Sequence, residues 1–280
     1  MFSELIKALF FGIVQGITEW LPVSSTGHMI LFDEFVGIDV SAEFMEMFRV
    51  VIQLSSILAV IIIYGKTLFP FSRDKTAEEK KRVRGLWGKI IIAAVPAAAA
   101  GVIFDDMLDK YLYNYITVAA ALIVYGVVFI LMERSGNDKE KKPLITDPYD
   151  MTFSAALKTG FFQVLSLVPG TSRSGSTIIG AMAAGVSREA AALFSFFLAI
   201  PVMFGASFLK IVKYAAQSGL SLTIEESLIA VVGCAAAFAV SFVTVRFLVG
   251  FVKRHSFEVF GWYRIALGVA VIIYFAFAGR

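Results

Sequence analysis

The sequence predicts an all-α integral membrane protein with about six transmembrane helices and two re-entrant helical hairpins, arranged as an inverted-topology repeat. Hydrophobic residues make up 58 % of the 280 residues, and the mean hydropathy is +0.80. Only 17 % of the residues are charged, where soluble domains carry about 25 %. Six apolar stretches are long enough to span a bilayer, and two more are each interrupted by a polar motif. We expect residues 1–280 to form a single membrane domain.

The six predicted spans are unbroken apolar stretches of about 20 residues, the length that crosses a hydrocarbon core of about 30 Å. In chain order they cover 44–65, 87–104, 114–133, 189–212, 226–250 and 259–278. The two interrupted stretches cover 2–36 and 151–186. Irregular backbone is tolerated at membrane depth only inside protein or beside a wet cavity. Each interrupted stretch is therefore predicted to be a re-entrant hairpin with its polar motif at the tip.

The distribution of lysine and arginine predicts the orientation in the membrane. Segment 66–89 holds eight of them, and others lie in 134–150 and 251–258. The loops 66–86, 134–150 and 251–258 are therefore predicted to be cytoplasmic, with both termini outside. The first hairpin then enters from outside and the second from the cytoplasm. The net charge of +3 is small and the basic residues cluster in loops rather than forming a stripe, which disfavours nucleic-acid binding, and a single cysteine excludes an intramolecular disulfide.

The two interrupted stretches lie in an internal repeat that relates 2–65 to 151–212. The offset between the copies drifts only from 148 to 146 residues. Because the charge bias orients the copies oppositely, we expect the repeat to be inverted and the two polar motifs to face each other near the midplane. The matching segments are Gly12-x-x-Gln15 with Gly160-x-x-Gln163, Pro22-Val-Ser-Ser-Thr-Gly with Pro169-Gly-Thr-Ser-Arg-Ser-Gly, and Val40-Ser-x-Glu43-x-x-x-x-Phe48 with Val186-Ser-x-Glu189-x-x-x-x-Phe194.

The first motif begins with Gln15 and Glu19, which are four residues apart and so share one face of a helix. A carboxylate in an apolar segment is costly, and its presence indicates a function. Glu19 is interpreted as a ligand of a divalent cation, Mg²⁺ or Ca²⁺, because both ions prefer oxygen ligands. The alternative is that Glu19 pairs with an arginine for structural reasons.

Three hydroxyls and an imidazole follow at a predicted helix break: Ser24, Ser25, Thr26 and His28. Serine and threonine also cap helices, so one of these hydroxyls is open to a purely structural interpretation. A lone histidine is usually structural as well. Its place beside three hydroxyls favours catalysis by this group.

The second motif, 169–177, surrounds Arg173 with small and hydroxyl-bearing residues. Small residues let backbone amides approach an anion, Ser172, Ser174 and Thr177 supply hydroxyls, and the guanidinium binds an anion bidentately. The motif resembles a phosphate cradle at a helix N-terminus. The alternative is a capped helix whose arginine reaches the membrane interface. The other charged or amide side chains in the spans are interpreted as contacts within the bundle and not as catalytic groups: Glu46, Arg49, Gln53, Arg246 and Arg264.

The segments Gln15 to His28 and Pro169 to Thr177 closely resemble the two signatures of the bacterial undecaprenyl-diphosphate phosphatase family, also known for bacitracin resistance. The resemblance covers essentially the whole chain. It implies an enzyme of the bacterial plasma (inner) membrane that removes the terminal phosphate of undecaprenyl diphosphate, with a site open to the periplasmic side. The lipid carrier of cell-wall synthesis is thereby recycled. The functional positions that it implies are Gln15, Glu19, Ser25, His28, Ser172, Arg173 and Thr177.

Motif chemistry and resemblance together suggest a division of roles. Glu19, with Gln15, holds the divalent cation, and either Ser25 attacks with His28 as base, or His28 positions a water or attacks directly. Arg173 neutralises the phosphate. The expected partners are a polyprenyl diphosphate, membrane lipids and, in a homodimer, a second copy of the chain. No nucleic acid is expected to bind. The residues assigned to diphosphate binding are Ser24, Thr26, Ser172, Ser174 and Thr177.

Two other classes of membrane protein share features with this sequence. Lipid phosphatases that resemble vanadium haloperoxidases need a second catalytic histidine, and the remaining one here, His255, lies in a turn assigned to the cytoplasm, which rejects that class. A polyprenyl-phosphate flippase or transporter stays open as the alternative because inverted repeats with broken helices are a transporter architecture. A transporter, however, needs no reactive groups such as Ser25 and His28.

Overall fold

The computed structural model describes residues 1–112, 114–135, 143–218 and 222–278. Within these ranges the chain is helical, without a named strand, and the predicted all-α membrane fold is confirmed. Short 3₁₀ helices lie at Pro148–Asp150 and Leu165–Leu167. The ten α-helices are α1 Phe2–Thr18, α2 Ser25–Val36, α3 Ala42–Leu68, α4 Ala77–Leu112, α5 Tyr115–Ser135, α6 Phe153–Val164, α7 Arg173–Ala183, α8 Arg188–Ser218, α9 Ile224–Val252 and α10 Glu258–Ala278.

Six of the described helices are long and apolar enough to cross a membrane: α3, α4, α5, α8, α9 and α10. They coincide with the six predicted spans. One boundary differs, because α4 begins at Ala77 inside the predicted loop 66–86. There Thr76 and Glu79 exchange two hydrogen bonds that cap the helix, so the charged segment continues the span as helix. Part of the predicted loop 134–150, residues 136–142, lies outside the described residues.

Both interrupted stretches are helix–break–helix units, α1–α2 and α6–α7. The order of a broken pair followed by three long helices occurs twice, as α1 to α5 and as α6 to α10. This order agrees with the predicted repeat. The re-entrant path of each pair and the opposite orientation of the copies in the membrane stay predictions.

The broken pairs pack across the repeat at glycine. A Cβ on Gly12 of α1 would lie 2.3 Å from the carbonyl oxygen of Gly233 on α9, and a Cβ on Gly160 of α6 would lie 2.4 Å from that of Ala93 on α4. Neither position has room for a side chain. Small residues allow such close approach of helix backbones in membrane proteins, and each break is thereby held between long helices of the bundle.

Candidate active site

The two breaks have the same backbone design. Ser24 and Ser172 are the only described non-glycine residues with a positive φ, at 72° and 75°. Each is the N-cap of the following helix, with its hydroxyl accepting the backbone N–H of Gly27 (3.2 Å) or Gly175 (3.1 Å). Such backbone geometry costs of order 1–3 kcal/mol and persists where the surroundings impose it. The structure therefore gives both serines a capping role, and their binding of the diphosphate stays a prediction.

The two motifs are in direct contact through Glu19, which is only 4 % exposed. Arg173 Nη2 donates to Glu19 Oε1 at 2.9 Å. Gln15 Nε2 and Ser25 Oγ donate to Glu19 Oε2 at 3.0 and 2.9 Å. Glu19 thus does pair with an arginine, as in the structural alternative, and this arginine belongs to the second motif. The buried Glu19 carboxylate therefore contacts both the Arg173 guanidinium and the Ser25 hydroxyl.

Arg173 is directed into the protein and does not extend to the membrane interface. Its Nη1 donates to the backbone oxygen of Ser195 on α8 at 2.9 Å, and its guanidinium lies 5.8 Å from the ring of Trp20. Thr177, one turn further along α7, shares a 2.6 Å hydroxyl contact with Ser195 Oγ. The buried Nε of Arg173 has no hydrogen-bond partner among the described residues. This donor is free for an anionic ligand.

Ser174 joins the two breaks a second time. Its hydroxyl donates to the backbone oxygen of Leu21 at 3.2 Å and contacts Ser172 Oγ at 3.1 Å. The bond to Leu21 occupies the hydroxyl proton. Ser174 consequently links the loops in this structure, and its contact with phosphate stays a prediction.

A cavity of about 590 Å³ opens beside this contact, within the size range of small-molecule sites. Gln15, Ser25 and Thr26 line it. Two ion pairs lie in its wall, Arg49 with Asp33 and Lys210 with Glu46. For Arg49 and Glu46 the sequence predicts contacts of this kind. The cavity gives a polar ligand access to the Ser25 side of the site.

His28 does not pair with Ser25. Its Nδ1 lies 2.7 Å from the backbone oxygen of Ser24, and its Nε2 lies 2.7 Å from the hydroxyl of Tyr263 on α10. The hydroxyl of Ser25 instead donates to Glu19. In this arrangement the group placed to accept the Ser25 proton is the carboxylate and not the imidazole.

Arg264 on α10 holds both breaks and was not predicted as a site residue. It is fully buried, and it donates to the backbone oxygens of Pro22 (3.1 Å), Gly170 (2.8 Å) and Thr171 (2.8 Å). One side chain therefore satisfies carbonyls of both interrupted segments. The sequence held a signal for this role, because a charged residue within an apolar span faces the protein interior.

The chain matches known proteins over nearly all of its length. The profile of the family described as "Bacitracin resistance protein BacA" matches residues 8–270. A relative from Acetivibrio thermocellus named undecaprenyl-diphosphatase is 56 % identical over 272 residues, which cover 97 % of this chain and 98 % of that protein. A protein of the same name from Enterococcus faecalis is 52 % identical over 278 residues, covering 99 % of this chain and 100 % of the relative. The chain belongs to the BacA bacitracin-resistance family.

Proposed function

We propose that this chain is a membrane hydrolase that converts undecaprenyl diphosphate to undecaprenyl phosphate and inorganic phosphate. It thereby recycles the lipid carrier of cell-wall synthesis and confers bacitracin resistance. The observation that carries this proposal is the hydrogen-bonded contact of Glu19, Ser25 and Arg173 across the two motifs. The names of the relatives support the substrate, and the six helices that are long and apolar enough to cross a membrane support a lipid as that substrate.

Arg173 binds the terminal phosphate in this proposal. The group is rich in negative charge, so catalysis rests mainly on positioning and charge neutralisation. The guanidinium is fixed by Ser195 and Glu19, and no group in the described part of the chain accepts a hydrogen bond from its Nε. A phosphate oxygen takes this donor and shares Nη2 with Glu19. Thr177, one turn after Arg173 on α7, bonds to the hydroxyl of Ser195, the residue whose backbone oxygen fixes Arg173.

Ser25 is the proposed nucleophile, with Glu19 as its base. Ser25 Oγ attacks the terminal phosphorus, its proton passes to Glu19 Oε2, and the bond to the bridging oxygen breaks to release undecaprenyl phosphate. Water then cleaves the phosphoserine, which yields inorganic phosphate and returns the proton to Ser25. The distance of 2.9 Å between Ser25 Oγ and Glu19 Oε2 supports this assignment.

The sequence left open attack by water or by His28, and a trapping experiment separates the routes. Rapid acid quenching during turnover of ³²P-labelled substrate traps an acid-stable phosphoserine if Ser25 attacks. Attack by His28 gives an acid-labile and base-stable adduct. Direct attack by water gives no labelled protein, and either of the last two results would replace Ser25 as nucleophile.

A divalent cation, Mg²⁺ or Ca²⁺, is proposed to bind together with the substrate. Glu19 offers carboxylate oxygens, which suit these ions, whereas Gln15 directs its Nε2 at Glu19, so its amide would have to rotate to offer Oε1 to an ion. The described residues contain no cluster of three acidic, histidine or cysteine side chains. Mg²⁺ commonly uses one or two carboxylates plus phosphate oxygens, so the diphosphate completes the site. The ion supplies neutralising charge to the phosphate oxygens. We expect chelation to abolish turnover and calorimetry to detect weak Mg²⁺ binding only when the lipid diphosphate is present.

The site is proposed to open to the outer side of the plasma membrane, with both termini outside. The bias of lysine and arginine towards 66–89, 134–150 and 251–258 supports this orientation. In a Cys234→Ala background, a cysteine at Asp39 should react with an impermeant maleimide in intact cells. A cysteine at Asp74 should react only after permeabilisation. The reverse pattern would invert the assignment. The homodimer stays a prediction.

Phosphate release from undecaprenyl diphosphate by protein purified in detergent tests the proposed function. The wild type should release phosphate, and Ser25→Ala and Glu19→Gln should lower kcat at least 100-fold, since both remove the proposed proton transfer. Ser55→Ala, which removes a hydroxyl bonded to the Cys234 carbonyl away from the site, is the control. A wild type that releases no phosphate but moves labelled lipid across vesicles would replace the hydrolase by the transporter alternative.

A further inference from the structure

We propose that Tyr263 on α10 is a positioning residue for His28, fixing both the tautomer and the orientation of its imidazole. The two side chains are 235 positions apart in the chain and meet through a bond of 2.7 Å between His28 Nε2 and the Tyr263 hydroxyl. This inference rests on the proposed function and deepens it, because it adds His28, one turn beyond Ser25 on α2, to the residues that serve the reaction.

The tautomer follows from the partner of the other ring nitrogen. Nδ1 of His28 lies 2.7 Å from the backbone oxygen of Ser24, and a carbonyl only accepts hydrogen bonds. Nδ1 therefore carries the proton. In the neutral ring Nε2 is then the acceptor, and the phenolic O–H of Tyr263 is its donor. Nε2 is thus the ring nitrogen that can accept a proton, and the Tyr263 hydroxyl bonds to it.

Both partners of the imidazole are themselves fixed. The Ser24 carbonyl belongs to the strained cap of α2, with φ at 72°. Tyr263 precedes Arg264, which anchors α10 to the backbone oxygens of both breaks. The ring planes of His28 and Tyr263 are parallel within 1°, with the centroids 5.7 Å apart. The imidazole is thus held at two opposite edges, by the break on one side and by α10 on the other.

Burial does not explain this contact. Tyr263 is 46 % exposed, so its ring is not forced against His28 by tight packing on all sides. A partner that orients a functional histidine through its second nitrogen typically changes activity 10–100-fold when it is removed, as the outer ligands of metal sites show. We expect a loss of about tenfold here.

Tyr263→Phe, which removes only the hydroxyl, is the test variant. Tyr274→Phe is its matched control: it makes the same change on the same helix, where the ring packs against Phe35 and Phe275. With undecaprenyl diphosphate, Tyr263→Phe should lower kcat about tenfold and leave KM nearly unchanged, since the hydroxyl bonds His28 and not the lipid. The control should keep both constants.

A spectroscopic measurement reports on the imidazole without using activity. The chain contains two histidines, His28 and His255, so ¹⁵N-histidine labelling gives two ring systems, and His255→Gln assigns them. In the wild type, His28 should show a protonated Nδ1 and a hydrogen-bonded, unprotonated Nε2. In Tyr263→Phe, the Nε2 resonance should move to the position of an acceptor without a partner, and in Tyr274→Phe it should not move.

Unchanged kcat in Tyr263→Phe, or a His28 Nε2 resonance that does not respond to the substitution, would overturn the proposal. A loss of kcat without a change in the Nε2 resonance also overturns it, because Tyr263 would then act elsewhere. If the wild type released no phosphate, the proposed function would fail while the ¹⁵N spectra still decided the contact between Tyr263 and His28.

Discussion

The two breaks share a backbone and differ in the side chains that the backbone presents. Each has a serine cap at positive φ, and the first helical residue after that cap is Ser25 in one copy and Arg173 in the other. Three positions later the residues are His28 and Ser176. The same turn therefore places a hydroxyl on one side of the site and a cation on the other. The two copies thus share the backbone geometry of the break, and their different side chains give each break a different chemical group.

The acid shows the divergence most clearly. Gln15 donates to Glu19, whereas the matching Gln163 is fully buried and its amide has no hydrogen-bond partner. At the offset of 148 residues, the position of Glu19 is taken by Leu167. The second copy therefore has the amide but has no carboxylate at the position that matches Glu19. A single proton acceptor for Ser25 is consistent with one active site shared between two copies.

The largest expected effect is the loss of the cation that distinguishes the second break. Arg173→Ala should lower kcat/KM by about 10²–10³, the usual consequence of removing a group that stabilises developing charge. It also leaves Glu19 buried without its ion-pair partner. Arg173→Lys should recover activity only in part, because a lysine lacks the bidentate fork. Phosphate release by detergent-purified protein measures the effect.

The control for this substitution is Arg134→Ala. Arg134 is 60 % exposed in its side chain and pairs with Glu258 away from the two motifs. Its removal should leave kcat/KM unchanged. Near wild-type turnover in Arg173→Ala would show that the second break does not bind the transferred phosphate.

A smaller effect is expected from Arg264, which bonds to one carbonyl of the first break and two of the second. Arg264→Met leaves the carbonyls of Pro22, Gly170 and Thr171 without their donor, and each unsatisfied buried group costs about 1–3 kcal/mol. We expect a lower melting temperature in detergent and about a tenfold loss of kcat. Arg246→Met, which changes an exposed arginine on α9, is the matched control. A variant that keeps both its stability and its kcat would remove Arg264 from the account of the breaks.

Replacing the closely packed glycine of either broken pair should lower the stability of the protein by a similar amount. Gly12→Ala and Gly160→Ala each force a methyl group against a backbone oxygen, at 2.3 and 2.4 Å, and overpacking of this kind costs about 1–3 kcal/mol. Gly65→Ala, a helical position with open space around it, should not be affected. Thermal unfolding in detergent compares the three variants. Destabilisation by only one of the first two would show that the two pairs are not equivalent in packing.

The sequence predicts the parts of this molecule that depend on local composition. Apolar length gives the six spans, and the polar motifs mark both breaks. Tyr263 escaped prediction, and Arg264 was predicted only as a contact within the bundle, because their partners lie 93 to 242 positions away and no local pattern records such contacts. The pairing of Ser25 with Glu19 instead of His28 depends on side-chain orientation within one short loop, which residue types and spacing leave undetermined.

The smallest effects are expected at the caps that the two breaks have in common. Ser24→Gly and Ser172→Gly lose the capping hydroxyl and also remove the Cβ from a residue at positive φ, so the two effects oppose each other and stability should change by only a few tenths of a kcal/mol. Ser24→Ala and Ser172→Ala lose the cap and also keep a Cβ in the left-handed region, which adds about 1–2 kcal/mol relative to glycine. Thermal unfolding of the four variants measures both differences. Equal stability of the alanine and glycine variants would show that the positive φ is not imposed by the surrounding helices, because the loop would then have relaxed.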